Sequence, residues 1–481
     1  MERPVRDHHP LYESLVAISG RKYVSDEDFA VYAYSRTVSE FPPRIPGIVV
    51  RPGATEEISD IVKLANRTGI PVIPRGGGMA VGGTPKGVVR QSILLDTTRM
   101  DKIIDVDEHA MTMTVECGIS WAKLKEELRK KGLYTRVAYT SKVGATVGGL
   151  LSGSHGGGEV EQWGGRENVG TYLTDVKVVL PRGDIIHTGS AGSNHLSKAY
   201  TRYSHGPEAT GLFLADQGIL GIKVEATLKL FQPPFIDTDS YLFEGLEPIW
   251  KACCELSKLD CPPVGHFKIL PPTSGYVTGM LKLPAFTSWI GNLAVDGPNQ
   301  EAVEMAMRQA RMICEKHGGK RGPQRLIDAA RHGVFDGADN PQAMGPSGMW
   351  CFAEYRLPLE PRTRDHVKFI RERYKKYETL FKKYNLLNFE LYMLGVHQTL
   401  IVCPNIFIGD NTNREARRLA QELFKEWIRD GHLAGGINHF PQGDLGDVSA
   451  EFYEPHYFGF LRTIKRALDP NNIMNPGALT I

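Results

Sequence analysis

No stretch of this 481-residue sequence approaches the 18 or so consecutive apolar residues of a membrane span, so no transmembrane helix is expected. Charge of one sign is lacking too. Fifty-seven Lys and Arg face 55 Asp and Glu, a formal balance of +2, which gives no electrostatic case for nucleic acid or an anionic membrane. The seven cysteines (117, 253, 254, 261, 314, 351, 403) form no CxxC pair and none of the spacings that hold zinc or iron–sulfur. No metal site is expected, and no Gly-Lys-Ser/Thr is present to make a Walker loop. The segment Met1-Glu-Arg-Pro-Val-Arg-Asp-His-His9 lacks the apolar core of a signal peptide. These absences give a reduced, cytoplasmic compartment as the expectation, with thiols packed as small hydrophobes. At 41% hydrophobic and 23% charged the composition is globular, and the length suggests two or three domains.

Glycine is what the chain has in excess. It holds 51, where average usage of about 7% gives roughly 34. Six lie in Gly76–Gly87 and ten in Thr140–Gly170. The first window, Pro74-Arg-Gly-Gly-Gly-Met-Ala-Val-Gly-Gly83, lets backbone N–H groups converge on anionic oxygens. It does not fit G-x-G-x-x-G, because the third glycine position falls on Val81 and no helix pattern follows. Asp96, twenty residues on, is a weak coincidence without that helix. The second window, Tyr139-Thr-Ser-Lys-Val-Gly-Ala-Thr-Val-Gly-Gly-Leu-Leu-Ser-Gly-Ser-His-Gly-Gly-Gly158, mixes glycine with small hydroxyl residues. It is longer than one phosphate needs and suits a pyrophosphate plus a flat ring system. Exposed flexible loops are the bland alternative for both windows.

Around these windows short strands alternate with helices. A helix with Thr55 as its cap carries Ile58, Ile61, Val62 and Ala65 on its buried face. Strands are expected at 69–74, 88–96, 111–117 and 221–230, a hairpin over 173–188, and an amphipathic helix over 119–131. From about residue 235 the texture changes to longer strand-like pieces alternating with helices at 300–317, 362–384 and 414–430. A last helix, 453–467, precedes the tail.

Five segments in this order carry a resemblance. They are Arg75-Gly-Gly-Gly78, Gly144-Ala-Thr-Val-Gly-Gly149, Asp175-Val-Lys-Val-Val-Leu-Pro-Arg-Gly183, Asp216-Gln-Gly-Ile-Leu-Gly-Ile222 and Asp469-Pro-Asn-Asn-Ile-Met-Asn-Pro-Gly477. Together they resemble the FAD-linked oxidases of the vanillyl alcohol oxidase and p-cresol methylhydroxylase type, which include D-lactate dehydrogenase and the glycolate oxidase flavin subunit. The resemblance implies an α+β fold, with a two-subdomain FAD-binding domain (PCMH-type) over 1–235. An α+β substrate cap over 236–440 and a returning C-terminal segment over 441–481 complete it. Arg75, Gly76, Gly77, Gly78 and Met79 would line the pyrophosphate. Val143, Gly144, Thr146, Gly148, Gly149, Ser152 and Gly156 would continue along FAD. Gly218 and Ile222 would support the adenine half, and Asn475 would lie near the isoalloxazine. Several relatives attach FAD through a histidine where this chain has Met79, whose thioether cannot form that bond; others use a His or Tyr of the cap, which leaves His397 and His439 open, and noncovalent FAD is the expectation.

The implied activity is oxidation of an alcohol carbon by hydride transfer to flavin N5, with a 2-hydroxyacid such as D-lactate or glycolate as substrate. Oxidation of a 4-hydroxybenzyl-type phenolic alcohol is the alternative, and an electron-passing flavin subunit of a complex is a further one. Non-redox chemistry of the alkyl-dihydroxyacetonephosphate synthase kind lacks its histidine-rich stretch here. Family hydroxyacid enzymes carry a His-rich segment and a later Glu-His. The corresponding Gly395-Val-His-Gln-Thr-Leu400 and Gly435-Gly-Ile-Asn-His-Phe-Pro-Gln-Gly443 keep one histidine each. His439 is the first choice of base, with His397, Arg356 and Tyr392 as further catalytic candidates; Arg356 equally reads as a surface partner of Glu354. His266 and Lys268 alternate on another strand-like piece. The acceptor is expected to be oxygen, a quinone or a redox protein, and a homodimer follows the family pattern.

Overall fold

Three apolar strands and one amphipathic helix build the first layer. The computed structural model describes residues 8–39, 41–80, 82–136, 143–153, 169–193, 198–203, 206–259, 266–272, 283–335, 348–358, 362–390, 392–394, 400–410, 412–438 and 443–481. Helices α1 (Tyr12–Ser19) and α2 (Asp28–Ala33) precede it. Strands β1 (Val24–Ser25), β2 (Ile48–Val50), β3 (Val72–Arg75) and β4 (Ile93–Asp96) pair in the order β1-β2-β4-β3. The last three run parallel, linked by α3 (Thr55–Thr68). Ile58, Ile61, Val62 and Ala65 of α3 are fully buried. Thr55 is the first helical residue and not the expected cap; Ala54 stands at that position. The Glu57 carboxylate instead accepts the Gly53 amide at 3.1 Å, and Gly69 ends the helix in the left-handed region at φ 69°.

The second sheet is antiparallel, in the order β5 (Ile103–Asp107), β6 (Thr112–Glu116), β9 (Ile222–Lys229), β7 (Leu173–Val179), β8 (Ile185–His187). Helix α4 (Trp121–Lys130) buries Trp121, Leu124 and Leu128 in the core beneath it. A short helix, α5 (Val147–Ser152), lies inside the second glycine window, where the sequence reading placed no helix. Glycine weakens a helix in isolation, so this turn depends on burial of Val147, Leu150 and Leu151.

The third sheet carries β10 (Phe235–Phe243), β11 (His266–Leu270), β12 (Trp289–Gly297), β13 (Lys320–Arg321), β14 (Gly348–Pro358), β15 (Leu387–Glu390), β16 (Tyr392–Leu394), β17 (Leu400–Asp410) and β18 (Ile437–Asn438). Its main order is β13-β10-β12-β11-β16-β17-β14-β18, with β15 also on β17. Helices α6 (Leu246–Leu256), α7 (Gln300–Lys316), α9 (Arg362–Lys383) and α10 (Arg414–Leu433) pack on one face, while α8 (Gln324–Phe335) lies against β10 and β12. Phe243, Phe267, Ile269, Leu293 and Tyr392 meet the four helices in one core. The chain then returns through α11 (Leu445–Ala450) and α12 (Pro455–Leu468). Its tail extends the first sheet: Val72 N–H donates to Ile473 O at 2.8 Å, and Asn475 N–H to Val72 O at 2.9 Å.

Inside the cap core the Tyr392 hydroxyl donates to the Glu390 carboxylate at 2.6 Å. Burial raises the Glu390 carboxyl to about 7, with Arg371 and the tyrosine offsetting part of the effect. The folded protein therefore keeps this proton longer than the unfolded chain does. Stability from this group is fully present below about pH 4.5 and declines until about pH 7. Glu390→Gln retains the hydrogen-bond acceptor and removes the titration. In urea unfolding across pH, it should match the native protein near pH 4.5 and exceed it by up to about 3 kcal/mol above pH 7. Parallel curves for the two proteins would show that Glu390 does not titrate between folded and unfolded states.

Candidate cofactor site

The first glycine window leaves the C-terminal end of β3 and crosses the second at backbone distance. A Cβ on Gly77 would lie 1.5 Å from the Gly144 carbonyl oxygen, and one on Gly76 would lie 2.1 Å from Thr146 Oγ1. One on Gly144 would meet Met79 Sδ at 2.7 Å. Gly78 has φ +72°, with the Arg75 guanidinium filling the place a side chain would take. These glycines leave room for main chain alone, which brings amides to the surface of the cleft between them.

Each wall of that cleft is held from behind. Arg75 donates to the carbonyls of Tyr34 (3.2 Å) and Arg36 (3.1 Å) and lies over the Tyr34 ring. Burial lowers its pKa, against the attraction of Asp96. Asp96, at the end of β4, accepts the Tyr34 hydroxyl at 2.6 Å, Arg51 Nε at 3.1 Å and the Thr98 amide at 2.8 Å. Burial, together with Asp96, pushes the Tyr34 phenol up to about 12. Asp96 is thus a structural anchor for Tyr34 and Arg51. The second window is fixed by Thr146, whose Oγ1 accepts the Gly149 amide at 3.1 Å, and by Gly148 N–H donating to Cys117 O at 2.7 Å.

The third wall is the turn before β9. Lys223 Nζ donates to Asp216 at 2.6 Å with both side chains almost fully buried, and Asp216 also accepts the Gly218 amide at 3.0 Å. Gly218 has φ +73°, and its Cβ position lies 2.6 Å from Pro74. Asn475 Nδ2 donates to Gln217 O at 2.6 Å, joining this turn to the tail. Asp469 accepts the amides of Ile473 (3.1 Å) and Met474 (2.8 Å). Buried Lys465 donates to Asp469, to Ile219 O at 3.0 Å and to Met474 O at 2.7 Å. Sequence reasoning missed Lys465, which the helix pattern alone places among the solvated cations of α12.

Between these walls lies a cleft of about 1140 Å³ of atom-free space, partly open to solvent. Of the expected cofactor residues, Arg75, Gly76, Gly77, Gly78, Met79, Thr146, Gly148, Gly149, Ser152, Ile222 and Asn475 line it. Gly144 and Gly218 stand behind it, as close-approach points. Val143 is 54% exposed and is not among the lining residues. Gly156, His397 and His439 lie outside the described residues. Arg356 is placed by its backbone, in register with Val402 and Ile437. Tyr392 belongs to the helix-packed core of the cap and does not line the cleft. Its pairing with Ile269 puts it on that face of the sheet, which the sequence alternation alone could not decide. Leu94, Thr97, Gln217 and Lys223 line the cleft without having been singled out.

The lining fits a dinucleotide. Glycine is its commonest residue, with cationic side chains only at Arg75 and Lys223 among the described residues. Asn475 Oδ1 is buried at the wall with no hydrogen-bond partner, an acceptor that the ring N–H of a flavin or the exocyclic amine of adenine would satisfy. Gly77→Ala should therefore yield protein without the flavin absorbance band after purification, because its Cβ has nowhere to go. Gly459→Ala, in open space on α12, should retain flavin and gain about 0.5–1 kcal/mol of stability. Flavin content of the two purified variants checks this, and a fully loaded Gly77→Ala protein would show the close approach to be dispensable.

Comparison with known proteins agrees with this geometry. Residues 46–189 match the family described as FAD binding domain, and residues 446–479 match the C-terminal domain of FAD linked oxidases. The chain is 25% identical over 477 residues to glycolate oxidase subunit GlcD of Bacillus subtilis, covering 97% of this chain and 96% of that one. It is 31% identical over 194 residues to mitochondrial D-lactate dehydrogenase [cytochrome] of Arabidopsis thaliana, covering 40% of this chain and 31% of that one. Substrate-bound p-cresol methylhydroxylase superposes with a TM-score of 0.80 at 19% identity, covering 98% of this chain and 96% of that one. Backbone cleft, tail clamp and these matches together identify an FAD-binding domain and the C-terminal domain of FAD linked oxidases in this chain, on the PCMH-type fold.

Proposed function

We propose that the protein oxidises a 2-hydroxyacid, with the α-hydroxyl carbon as hydride donor and the acid carboxylate bound by cations of the cap. The observation that carries this reading is a row across the cap sheet. Ser240 pairs with Asn292, Asn292 with Lys268, Lys268 with Met393, Met393 with Val402, and Val402 with Arg356. Cross-strand partners share a face, so Ser240, Asn292 and Lys268 lie opposite the helix-packed core that holds Phe267, Ile269 and Tyr392, and the backbone of Arg356 falls in the same register row. Farther along β12 the same face carries Asp296, whose carboxylate meets Arg136 of the FAD-binding part at 3.5 Å. Lys268 is only 2% exposed, and Ser240 Oγ is bonded to Asn292 Oδ1 at 2.7 Å, which fixes the amide beside it.

A lysine and an arginine on three-strand separation, about 14 Å at the backbone, suit an anionic substrate better than a neutral benzylic alcohol. The similarity to glycolate oxidase and D-lactate dehydrogenase points to the same substrate class. Bound FAD supplies the hydride acceptor. What this chain must add is a group that removes the hydroxyl proton, and we assign that role to His439, with His397 as the other histidine of the corresponding segments. Arg75 and the glycine amides would hold the pyrophosphate, and Asn475 would accept a ring N–H.

Anaerobic stopped-flow mixing tests the reading. D-lactate or glycolate should bleach the oxidised flavin band, and vanillyl alcohol should not. Bleaching by vanillyl alcohol alone would transfer the assignment to phenolic alcohols. Lys268→Met keeps volume and removes the cation. It should raise KM for the hydroxyacid roughly ten- to hundredfold with flavin content unchanged. An unaltered KM in a flavin-loaded variant would remove Lys268 from substrate recognition.

A further inference from the structure

The segment between the cap sheet and α12 passes directly over the rim of the cofactor cleft. It begins at β18, where Asn438 Nδ2 donates to Ser449 Oγ at 2.9 Å, and continues into α11. Leu445 and Val448 of α11 are buried in the cap core together with Phe41. Gly443 lines the cleft with φ +50°, and a Cβ there would lie 2.2 Å from Gly82 O. Facing it is the second half of the first glycine window, of which Gly83, Thr84, Pro85 and Val88 line the cleft.

Two ion pairs tie the segment to that rim. Arg44 donates to Asp444 at 2.6 Å and to the Thr84 carbonyl, so one guanidinium grips both sides. Lys86 pairs with Asp447. The partners are 400 and 361 residues apart in sequence and meet only because the chain returns from the cap. Arg44 and Asp444 are each 24% exposed, Lys86 26% and Asp447 52%. The segment is thus bolted to the cap by apolar burial and to the cleft rim by charges within reach of solvent.

We propose that residues 443–450 form an ionic strap that retains FAD, with Arg44, Lys86, Asp444 and Asp447 as positioning residues for the cofactor. Outward movement of a dinucleotide past Thr84 and Pro85 requires the rim and the strap to part. Parting them breaks both ion pairs and separates Leu445 and Val448 from Phe41, which packs against Gly83 of the rim. Retention of FAD then depends on ionic strength, because partly exposed pairs are screened by salt. The inference rests on FAD occupying the cleft and is independent of which substrate the enzyme takes.

The test is the rate of FAD release from the holoenzyme, followed by recovery of flavin fluorescence on dilution into an excess of a flavin-scavenging apoprotein. At low salt, Asp444→Asn and Asp447→Asn should each release FAD about threefold faster than the native protein, and the double variant about tenfold faster. In about 1 M salt, where the Debye length is about 3 Å, native and variant rates should converge. Exchanging the second pair, Lys86→Asp with Asp447→Lys, should restore slow release at low salt. Rates insensitive to both substitutions at low salt overturn the strap. So does a faster release that persists undiminished in high salt, since that marks general loosening and not lost charge. Protein that neither carries nor takes up flavin would instead overturn the occupancy of the cleft, a distinct result.

Discussion

Two main chains without side chains between them, at Gly77 and Gly144, set the geometry on which the rest of this structure depends. The carbonyl of one loop occupies the place where the other would carry a Cβ. Such contact frees amides for a ligand but also removes the side chains that normally hold a loop in place. Glycine has more backbone freedom to lose on folding than any other residue, so a bare glycine cradle is unstable alone. The structure answers with acidic anchors behind the first window, the third wall and the tail. Asp96 holds Tyr34 and Arg51 behind the first window, Asp216 holds Lys223 and the Gly218 amide at the third wall, and Asp469 holds Lys465 and the tail. The second window relies on burial of α5 and on Thr146.

Those anchors explain why the ends of the chain are part of one site. The tail runs beside β3 as an added strand, and its Asn475 reaches the turn before β9. Val72 exchanges hydrogen bonds with Ile473 and Asn475, so the edge from which the first glycine window departs is not free to shift. Lys465 is the cost of this arrangement. Its ammonium is buried, and burial lowers its pKa despite the adjacent Asp469. A buried lysine with one carboxylate and two carbonyls keeps all three donors satisfied, which makes it tolerable where an unpaired one would not be.

Much of the cofactor site is legible in the sequence because it is written in composition. Glycine clusters after Pro74 and around Gly148 need no register or tertiary partner to be noticed, and eleven of the fifteen residues expected at FAD line the cleft. The same reasoning failed where a residue's role depends on what lies behind it. Asp96 resembled a ribose-binding carboxylate by spacing, yet it anchors Tyr34 and Arg51. Thr55 has the chemistry of a cap but sits one residue inside its helix, and Val143 has the apolarity of a buried residue but faces solvent. The helix α5 was hidden because glycine propensity argues against it and only tertiary burial argues for it. Lys465 gave no signal, since one position in a helix rich in Arg and Lys cannot be told from its solvated neighbours.

The cap is less legible for a different reason. Both faces of its sheet are covered, so apolar and polar positions do not separate by simple alternation, and a candidate's face depends on pairing across distant strands. Tyr392 and Lys268 sit on paired strands, β16 and β11, yet the register puts the tyrosine with Ile269 in the core and the lysine with Asn292 on the opposite face. Nothing local distinguishes the two. Cofactor recognition in this protein is done by backbone, which tolerates one residue type and so leaves a mark in composition. The substrate recognition proposed here rests on single side chains whose meaning is set by register, and that information exists only once the strands have paired. The substrate therefore has to be read from which cations fall in one register row, and the row from Ser240 to Arg356 is where that reading begins.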